Sequence, residues 1–471
     1  MTSNSITKNY KSKYIPKWVG GLVLGIFLSV LAFAAIFNLN SKADWLVVFT
    51  FIMNGLLSGI MLMQSSKKRP YSLETIHWIF FFFFFFFAPV IQYSANGFPW
   101  DLKPTTNELL KANLLLFAWG ILFLFGGRAR KSEKDKMIEN TSLVKPLRIN
   151  PSILNLFTII SIGIAIYYLV NVGLENLLSR ATTGNPLETD SSALRLLFNK
   201  ATQAFVLFNF VFCALNREKN NFRTIISLVC LLICAFPFGV ARNVMAIVYV
   251  GLFVLLFAKV LKGRRFTYIF LVGLIIIFPL LNAFRNSSFE EAQVGKALQR
   301  ILSEFLNEYT AGDYDAYSML IQTFRYANRF GVEYGMQFIG ALLFFIPRTM
   351  WKNKPIGSGA TIMECFGRDF TNVSCPLPGE FFINFGTVGL LAGAFLIGYV
   401  IRSLDNAYWK RKDRRKYKEY IYIDIIYPFL LAALFFMLRG DLMSSLAYTL
   451  SYVVVAYFMY FVAVKKGKFG F

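Results

Sequence analysis

The chain has 471 residues, of which 56% are hydrophobic and only 16% are charged, and its formal net charge is +23. A soluble domain usually carries about a quarter charged residues, so this composition excludes an ordinary soluble protein and indicates a membrane protein. The basic residues lie in short clusters between apolar runs, which argues against nucleic acid as a partner. One histidine and five cysteines without a CxxC pair supply few metal ligands, and we expect no metal and no cofactor.

Apolar runs long enough to cross a bilayer recur along the chain. They predict an all-α polytopic integral membrane protein with about twelve transmembrane helices. The predicted spans lie near 18–37, 44–64, 75–94, 108–126, 151–171, 196–215, 224–239, 243–261, 266–284, 380–401, 421–438 and 443–464. The first run lacks a small-residue cleavage site and is interpreted as a span rather than a signal peptide. The eight phenylalanines at 80–87 need no role beyond that of a lipid-facing or packed helix.

Clusters of lysine and arginine alternate along these spans. Those at 67–69, 128–148 and 402–418 share one side with both termini, and the positive-inside rule assigns that side to the cytoplasm. The chain is thereby divided into 1–284 with nine spans, an extracytoplasmic loop 285–379, and 380–471 with three spans.

The long loop carries two patterns of its own. An amphipathic pattern over 290–305 predicts a helix on the membrane surface, and the short apolar stretch 334–346 predicts an interfacial or re-entrant helix. Because this is by far the longest segment between two spans, we expect function on the extracytoplasmic side.

Positive charge also falls where the positive-inside rule disfavours it. The basic residues on the predicted outer side are Arg242, Arg285, Arg325, Arg329, Arg348, Lys352, Lys354, Arg368 and Arg439. A guanidinium group offers a planar fork of donors that matches phosphate oxygens. Beside lipid, the set predicts a site for a lipid-linked phosphate or pyrophosphate. The plainer alternative is that each cation pairs with a carboxylate or extends to lipid headgroups.

Two motifs flank the second half of this loop. The run P-R-x-x-W-x-x-K-P occupies 347–355, and G-E-F-x-x-N-F-G occupies 379–386. With the many-span layout, these motifs resemble the Wzy-type polymerases of O-antigen and capsular repeat units. An Arg-x10-Gly spacing that matters in some members is matched by Arg329 with Gly340, Arg348 with Gly359 and Arg368 with Gly379. Here all three pairs lie in one loop, whereas the family divides the motif between two.

The resemblance implies a metal-independent glycosyltransferase of the bacterial cytoplasmic (inner) membrane, acting at its periplasmic face. Such an enzyme transfers a growing chain from its undecaprenyl pyrophosphate carrier to the next lipid-linked repeat unit, as in polysaccharide and lipopolysaccharide biosynthesis for the cell envelope. Its partners would be the polyprenyl-pyrophosphate-linked oligosaccharide, the bilayer and a chain-length regulator protein.

Candidate site residues follow from this chemistry. The developing negative charge on the leaving pyrophosphate needs preorganised donors, and the acceptor hydroxyl needs a base, for which a carboxylate at the start of a span is suited. The catalytic candidates are Glu380, Arg348 and Arg439; the pyrophosphate-binding candidates are Arg242, Arg285, Arg325, Arg329, Lys352 and Lys354; the sugar-binding candidates are Trp351, Tyr314 and Tyr317. For Glu380 the alternative is stabilisation of a helix N-terminus. Cys365 and Cys375 could form a disulfide.

Other functions remain open. A flippase or transporter for lipid-linked oligosaccharides would also need many spans and cations, but would place its charges in a central cavity. A ligase that attaches finished O-antigen to a lipid core would present a similar outer face. A non-catalytic membrane scaffold would use the same residues for stability alone. The single histidine, His77, disfavours a histidine-dependent membrane acyltransferase.

Overall fold

The computed structural model describes residues 44–129, 149–173, 193–216, 220–237, 239–277, 307–413 and 420–463. These ranges are helical and contain no strand. The helices are α1 (Trp45–Lys68), α2 (Leu73–Ser94), α3 (Thr106–Ala129), α4 (Pro151–Val172), α5 (Ala193–Leu215), α6 (Asn221–Cys234), α7 (Arg242–Leu256), α8 (Arg265–Ile275), α9 (Ala316–Phe330), α10 (Met336–Leu342), α11 (Ser358–Cys365), α12 (Leu377–Asp413), α13 (Tyr422–Arg439) and α14 (Leu442–Ala463).

Eight of these helices, α1–α5 and α12–α14, are long and apolar enough to cross a membrane. They confirm the prediction of an all-α protein with several candidate membrane-spanning helices. The first predicted span, 18–37, lies outside the described residues. Thus the described part of the chain carries eight of the twelve expected spans as full-length helices.

Two predicted spans are shorter than expected, and the end of a third, 266–284, lies outside the described residues. Helices α6 and α7 have between 10 and 17 residues, whereas a crossing needs about 20. Helix α6 ends at Cys234 because Ala235 leaves the helical conformation and Pro237, two residues on, cannot continue the ladder of hydrogen bonds. Apolar character alone therefore overestimated the length of these helices.

The phenylalanine run at 80–87 forms the interior of the bundle. All eight rings are at most 4% exposed, and a π-helical turn at Phe83–Phe87 interrupts α2 in their midst. Phe86 lies against Gly55 of α1, where an added Cβ would stand 2.7 Å from the ring. The lipid-facing alternative for this run is wrong, and the packed alternative is confirmed.

Two large hydrophobic clusters make up most of the described core. The first is built mainly on α1, α2, α3, α9 and α12, the second mainly on α4–α7 and α14, and α13 contributes side chains to both. A smaller third cluster joins α9 and α11 to the start of α12. In the first cluster, α3 and α12 approach backbone to backbone: a Cβ on Gly126 would lie 1.9 Å from the Phe395 carbonyl oxygen, and one on Gly398 would lie 2.1 Å from that of Phe123. Small residues at such crossings permit close helix contact in membranes.

Contacts between helix ends divide into two sets. Arg325 pairs with Glu108, and Glu380 binds the backbone of Leu442, so the start of α3, the end of α9 and the starts of α12 and α14 lie together. Arg402 pairs with Glu74, and the Asn150 amide donates to Ala463, so other ends meet elsewhere. These are the two sets that the alternation of spans predicts on opposite sides.

The predicted loop 285–379 is partly internal. Its first part and the expected amphipathic helix at 290–305 lie outside the described residues. Helix α9 is buried between α3 and α12 over most of its length, whereas α10, in the stretch 334–346, exposes Ile339 and Leu342. The short apolar stretch thus has the exposed apolar face of an interfacial helix, but α9 does not. The polar side chains of Ser318, Gln322 and Thr323 lower the mean hydropathy of α9, so its burial was not predicted from the sequence.

Candidate functional site

Glu380 joins three helices at one end of the bundle. It lies in the first turn of α12 and is 1% exposed. One carboxylate oxygen accepts from the Ser358 hydroxyl at 2.6 Å and the other from the Leu442 amide at 2.8 Å. Both oxygens are therefore engaged in holding the N-termini of α11 and α14. The expectation that Glu380 acts as the base for an acceptor is not favoured by this geometry, because the carboxylate presents almost no surface.

Arg439 and Arg242 converge on residues 312–315 from different helices. Arg439, at the end of α13, donates to the carbonyls of Gly312 and Asp313 and to the Asp315 carboxylate, each at 3.1 Å. Arg242, at the start of α7, pairs with the Asp313 carboxylate at 2.9 Å. Two predicted anion ligands that are distant in sequence are thereby brought together.

Asp315 anchors this arrangement in the interior. Its second oxygen accepts from the Trp100 indole at 3.0 Å and from the Ser374 amide at 3.1 Å. The side chains of Arg242 and Arg439 remain 23% and 27% exposed. Both arginines are thus paired with carboxylates, as the plainer alternative predicted, yet each keeps a face from which a second anion can be bound.

The P-R-x-x-W-x-x-K-P motif closes its own loop. Arg348 donates to the carbonyls of Lys354 and Pro355 at 2.6 and 3.0 Å. Lys354 is 8% exposed, and its ammonium donates to the carbonyls of Phe344 and Ile346 at 2.6 and 3.0 Å. Burial, aided by Arg348, lowers the pKa of Lys354. Lys354 is therefore a loop-closing residue, and its prediction as a pyrophosphate ligand is wrong for this conformation.

The other members of the motif loop stay accessible. Arg348 and Lys352 are exposed, and Trp351 is half-buried. Arg348 uses two guanidinium nitrogens on its own loop, whereas Lys352 makes no hydrogen bond or ion pair to the part of the chain that the structure describes. The loop therefore offers one uncommitted ammonium group beside a partly committed guanidinium group.

The G-E-F-x-x-N-F-G motif interrupts α12 and binds the segment before α10. Gly386 has φ +62°, a conformation that favours glycine, and the helix breaks there. Near the break, the Ile383 carbonyl accepts from the Glu333 amide at 2.8 Å. Asn384 accepts from the Gln337 amide at 3.2 Å and donates to the Glu380 carbonyl at 2.8 Å. The motif thus positions residues 333–337.

The remaining predicted cations are dispersed. Arg325 forms a bidentate pair with Glu108, with nitrogen–oxygen distances of 2.6 and 2.8 Å, and also donates to the Lys103 carbonyl. Arg329 is exposed and lies 5.2 Å from the centroid of the Phe330 ring. Arg285 lies outside the described residues. Arg325 therefore forms a structural ion pair with Glu108, and its guanidinium group is not free to bind phosphate.

Tyr314 and Tyr317 do not form a sugar-binding surface. Both are 0% exposed, and the Tyr317 hydroxyl donates to Asn113 at 2.9 Å. Their prediction as stacking residues is wrong for this conformation, because their rings fill the core. In the same part of the chain Tyr334 is 83% exposed, with a left-handed φ of +45°.

The glycines of the Arg-x10-Gly pairs have packing roles. A Cβ on Gly359 would lie 2.7 Å from the Val373 carbonyl oxygen, and one on Gly340 would lie 3.0 Å from Met443. The Cβ of a residue at Gly379 would approach Thr323 at 3.2 Å. Close packing is a sufficient reason for glycine at each position.

Cys365 and Cys375 are free thiols. Cys365 is exposed, whereas Cys375 is buried. The disulfide alternative is therefore not realised. Elsewhere in the described ranges, no group of three or more His, Cys, Asp or Glu side chains could hold a metal ion.

An open cleft of about 410 Å³ lies beside the motif loop. Its walls come from the segment before α10, the end of the motif loop and α11. The polar and apolar groups that matter are Glu333, Met336, Gln337, Asn353, Thr361 and Glu364. Glu333, Met336 and Gln337 lie outside both sequence motifs, and the docking of 333–337 onto the helix break helps to place them at the cleft.

No protein-family model, curated protein or solved structure matches this chain. The site must therefore be interpreted from its own residues. Its parts form one connected polar network: Arg242 and Arg439 meet at 312–315, Asp315 holds Ser374, the carbonyl of Ser374 packs on Gly359, and the neighbouring Ser358 holds Glu380.

Proposed function

We propose that this chain is a membrane glycosyltransferase that polymerises polyprenyl-pyrophosphate-linked oligosaccharide repeat units. It would cross a bacterial cytoplasmic membrane twelve times, with both termini in the cytoplasm and the site at the periplasmic face. The observation that carries the proposal is the convergence of Arg242 and Arg439 on residues 312–315. Two partly exposed guanidinium groups at the ends of apolar helices suit a pyrophosphate held by a lipid.

The reaction is a displacement at the anomeric carbon. An acceptor hydroxyl oxygen bonds to that carbon, the bond from the carbon to the pyrophosphate oxygen breaks, and the pyrophosphate leaves with its lipid. Arg242 and Arg439 would stabilise the negative charge that develops on the leaving oxygen. Lys352, exposed on the motif loop, would add a further positive charge on a flexible side chain. The activated pyrophosphate bond supplies the driving force, so no nucleotide sugar is needed.

The proton of the acceptor hydroxyl needs a carboxylate that the acceptor can reach. Glu380 is buried, whereas Glu364 is exposed on the cleft. The Glu364 carboxylate makes no hydrogen bond or ion pair to the described residues. We therefore assign the role of general base to Glu364, with Glu380 as the residue that fixes α11, on which Glu364 lies.

A packed interior favours this reaction over transbilayer transport. Helix α2 is largely buried, and its phenylalanines fill the space between α1, α9 and α13. A flippase would need a polar cavity reached from both sides. The pairs Arg439–Asp315 and Arg242–Asp313 lie instead at one end of the helices.

The test is product formation by the purified chain in nanodiscs, supplied with polyprenyl-pyrophosphate-linked repeat units and no nucleotide sugar. We expect a ladder of lengthened chains on a gel. Arg439→Gln should lower the rate by about 10²–10³-fold, the loss typical of removing one donor to a developing oxyanion. Arg128→Gln is the matched control, because Arg128 is exposed at the opposite end of α3, and it should leave the ladder unchanged.

Other outcomes decide between the remaining functions. Transbilayer movement of the same lipid without a ladder would replace the polymerase by a flippase. Transfer of one finished chain to a lipid core, without lengthening, would indicate a ligase. An Arg439→Gln protein that is folded and fully active would remove the arginine pair from the mechanism.

A further inference from the structure

The cleft beside the motif loop is rich in hydrogen-bond acceptors. Carboxylates of Glu333 and Glu364, the amides of Gln337 and Asn353, and the Thr361 hydroxyl all line it. The Glu333 carboxylate also accepts from the Tyr326 hydroxyl. A ligand that complements such a surface must bring many donors.

Gln337 points to a missing donor. Its side chain is 4% exposed and its nitrogen donates to the Thr361 hydroxyl at 3.1 Å. The amide oxygen is buried and has no hydrogen-bond partner among the described residues. Leaving a buried acceptor unsatisfied costs free energy, so a ligand hydroxyl or N–H that reaches this oxygen gains more than an ordinary surface hydrogen bond.

The charge on the cleft restricts the ligand further. Two carboxylates lie on its walls, and the ammonium of Lys354, which also lines it, donates to the carbonyls of Phe344 and Ile346. Both carboxylates also act with burial to raise the pKa of the Cys365 thiol, which adds no positive charge. An anionic ligand would meet these two like charges in the cleft.

We propose that the cleft is the acceptor subsite and binds a neutral pyranose, whereas a uronic acid is rejected. This inference rests on the proposed glycosyl transfer and specifies the sugar class of its acceptor. Hydroxyl groups of the pyranose donate to Gln337, Glu333 and Glu364, and the half-exposed Met336 packs on an apolar ring face. About 410 Å³ accommodates one or two sugar rings.

The helix break sets the geometry of this subsite. Glu333 is held by the Ile383 carbonyl, and Gln337 is held by Asn384. Both contacts use backbone amides of the cleft residues, so neither contact occupies a side chain. The G-E-F-x-x-N-F-G motif would thus affect acceptor binding indirectly, by positioning Glu333 and Gln337.

The experiment measures saturation-transfer NMR signals from methyl glycosides mixed with the full chain in nanodiscs. Matched pairs are used: the methyl glycosides of glucose and galactose and the corresponding methyl uronates. At least one neutral glycoside should give saturable transfer, and its uronate should bind roughly tenfold more weakly or not at all. Binding of the uronate equal to that of its neutral partner would overturn the proposal.

Variants test the named residues. Gln337→Leu should weaken binding of the neutral glycoside by roughly five- to tenfold. The double change Glu333→Gln and Glu364→Gln should reduce the difference in binding affinity between the neutral glycoside and its uronate. Asp369→Asn, an exposed carboxylate of the same region outside the cleft, is the control and should alter neither. If Gln337→Leu folds, as shown by an unchanged melting temperature, yet binds normally, the cleft is not the subsite.

This binding assay uses no lipid carrier, so it separates the two proposals. Sugar binding without a ladder would leave the subsite intact and remove polymerisation. A ladder that forms at an unchanged rate in the cleft variants, together with no sugar binding, would support polymerisation and refute the acceptor subsite.

Discussion

Arginine–aspartate clusters at the two ends of the bundle use the same groups differently. The Asp405 cluster comprises Arg69, Glu74, Arg402 and Asp405. The Asp315 cluster comprises Arg242, Asp313, Asp315 and Arg439. In both, a fully buried aspartate accepts hydrogen bonds from a neighbouring segment and lies beside an arginine. The chemistry of the pairs alone therefore does not distinguish the two ends.

Closure and exposure do distinguish them. Asp405 accepts from the amides of Leu73 and Glu74 at 2.9 and 3.2 Å and from the Tyr427 hydroxyl at 2.5 Å, and so caps α2. The Arg69 side chain beside it is only 6% exposed. In the Asp315 cluster the arginines are exposed by about a quarter. A closed cluster stabilises helix ends, whereas a half-open one can also bind a ligand.

The largest expected effect is on the closed cluster. Asp405→Ala would remove the carboxylate that accepts from the Leu73 and Glu74 amides and would leave Arg69 buried without its carboxylate neighbour. Removing one partner of a buried pair costs about 3–5 kcal/mol. We expect a strongly lowered melting temperature in detergent, measured by tryptophan fluorescence. Asp369→Asn serves as the exposed control, and a melting temperature of Asp405→Ala equal to wild type would refute the capping role.

A reciprocal pair of variants sharpens the comparison. Arg402→Gln should lower the melting temperature, because its pair with Glu74 is mostly buried, while each folded molecule keeps its normal polymerisation rate. Arg242→Gln should leave the melting temperature almost unchanged, because a partly exposed ion pair contributes only about 0–1 kcal/mol. It should reduce the polymerisation rate by about 10²-fold, because a donor to the leaving pyrophosphate is lost. Thermal melting and the gel ladder are measured on the same preparations. Similar rate losses in both variants would contradict a functional difference between the clusters.

The sequence predicted the long helices because their apolar runs reach the length that a bilayer requires. Helix α9 escaped notice, since it is buried by protein rather than lipid and carries polar side chains that hydropathy counts against it. The lengths of the shortened helices α6 and α7 depend on where the chain turns, as at Pro237, and not on composition. Averaging hydropathy along the sequence cannot predict these features of the fold.

At the site, residue types were predicted better than their roles. Arg242 and Arg439 were selected as anion ligands, and the structure brings them together. Arg348 and Lys354 carry the same charge but bind backbone carbonyls of their own loop, which no spacing rule reveals. Gln337 could not be found from the sequence, because its importance depends on a buried oxygen without a donor.

The smallest expected effects come from neutralising one carboxylate in each cluster: a gain in substrate binding at the Asp315 cluster and a loss of stability at the Asp405 cluster. Asp313→Asn removes the carboxylate charge that pairs with Arg242, but leaves the Asp313 carbonyl that Arg439 binds. With one negative charge fewer beside Arg242, its guanidinium should bind the lipid pyrophosphate more tightly, giving a KM for the donor lipid about two- to fivefold lower at low salt. This gain should fade as ionic strength rises, since exposed charges are screened. Glu74→Gln, the matched change in the closed cluster, should lower the melting temperature and leave KM unchanged. A higher KM in Asp313→Asn would mean that the pair with Asp313 orients Arg242 for the ligand, and the half-open cluster would then depend on its ion pairs as the closed one does.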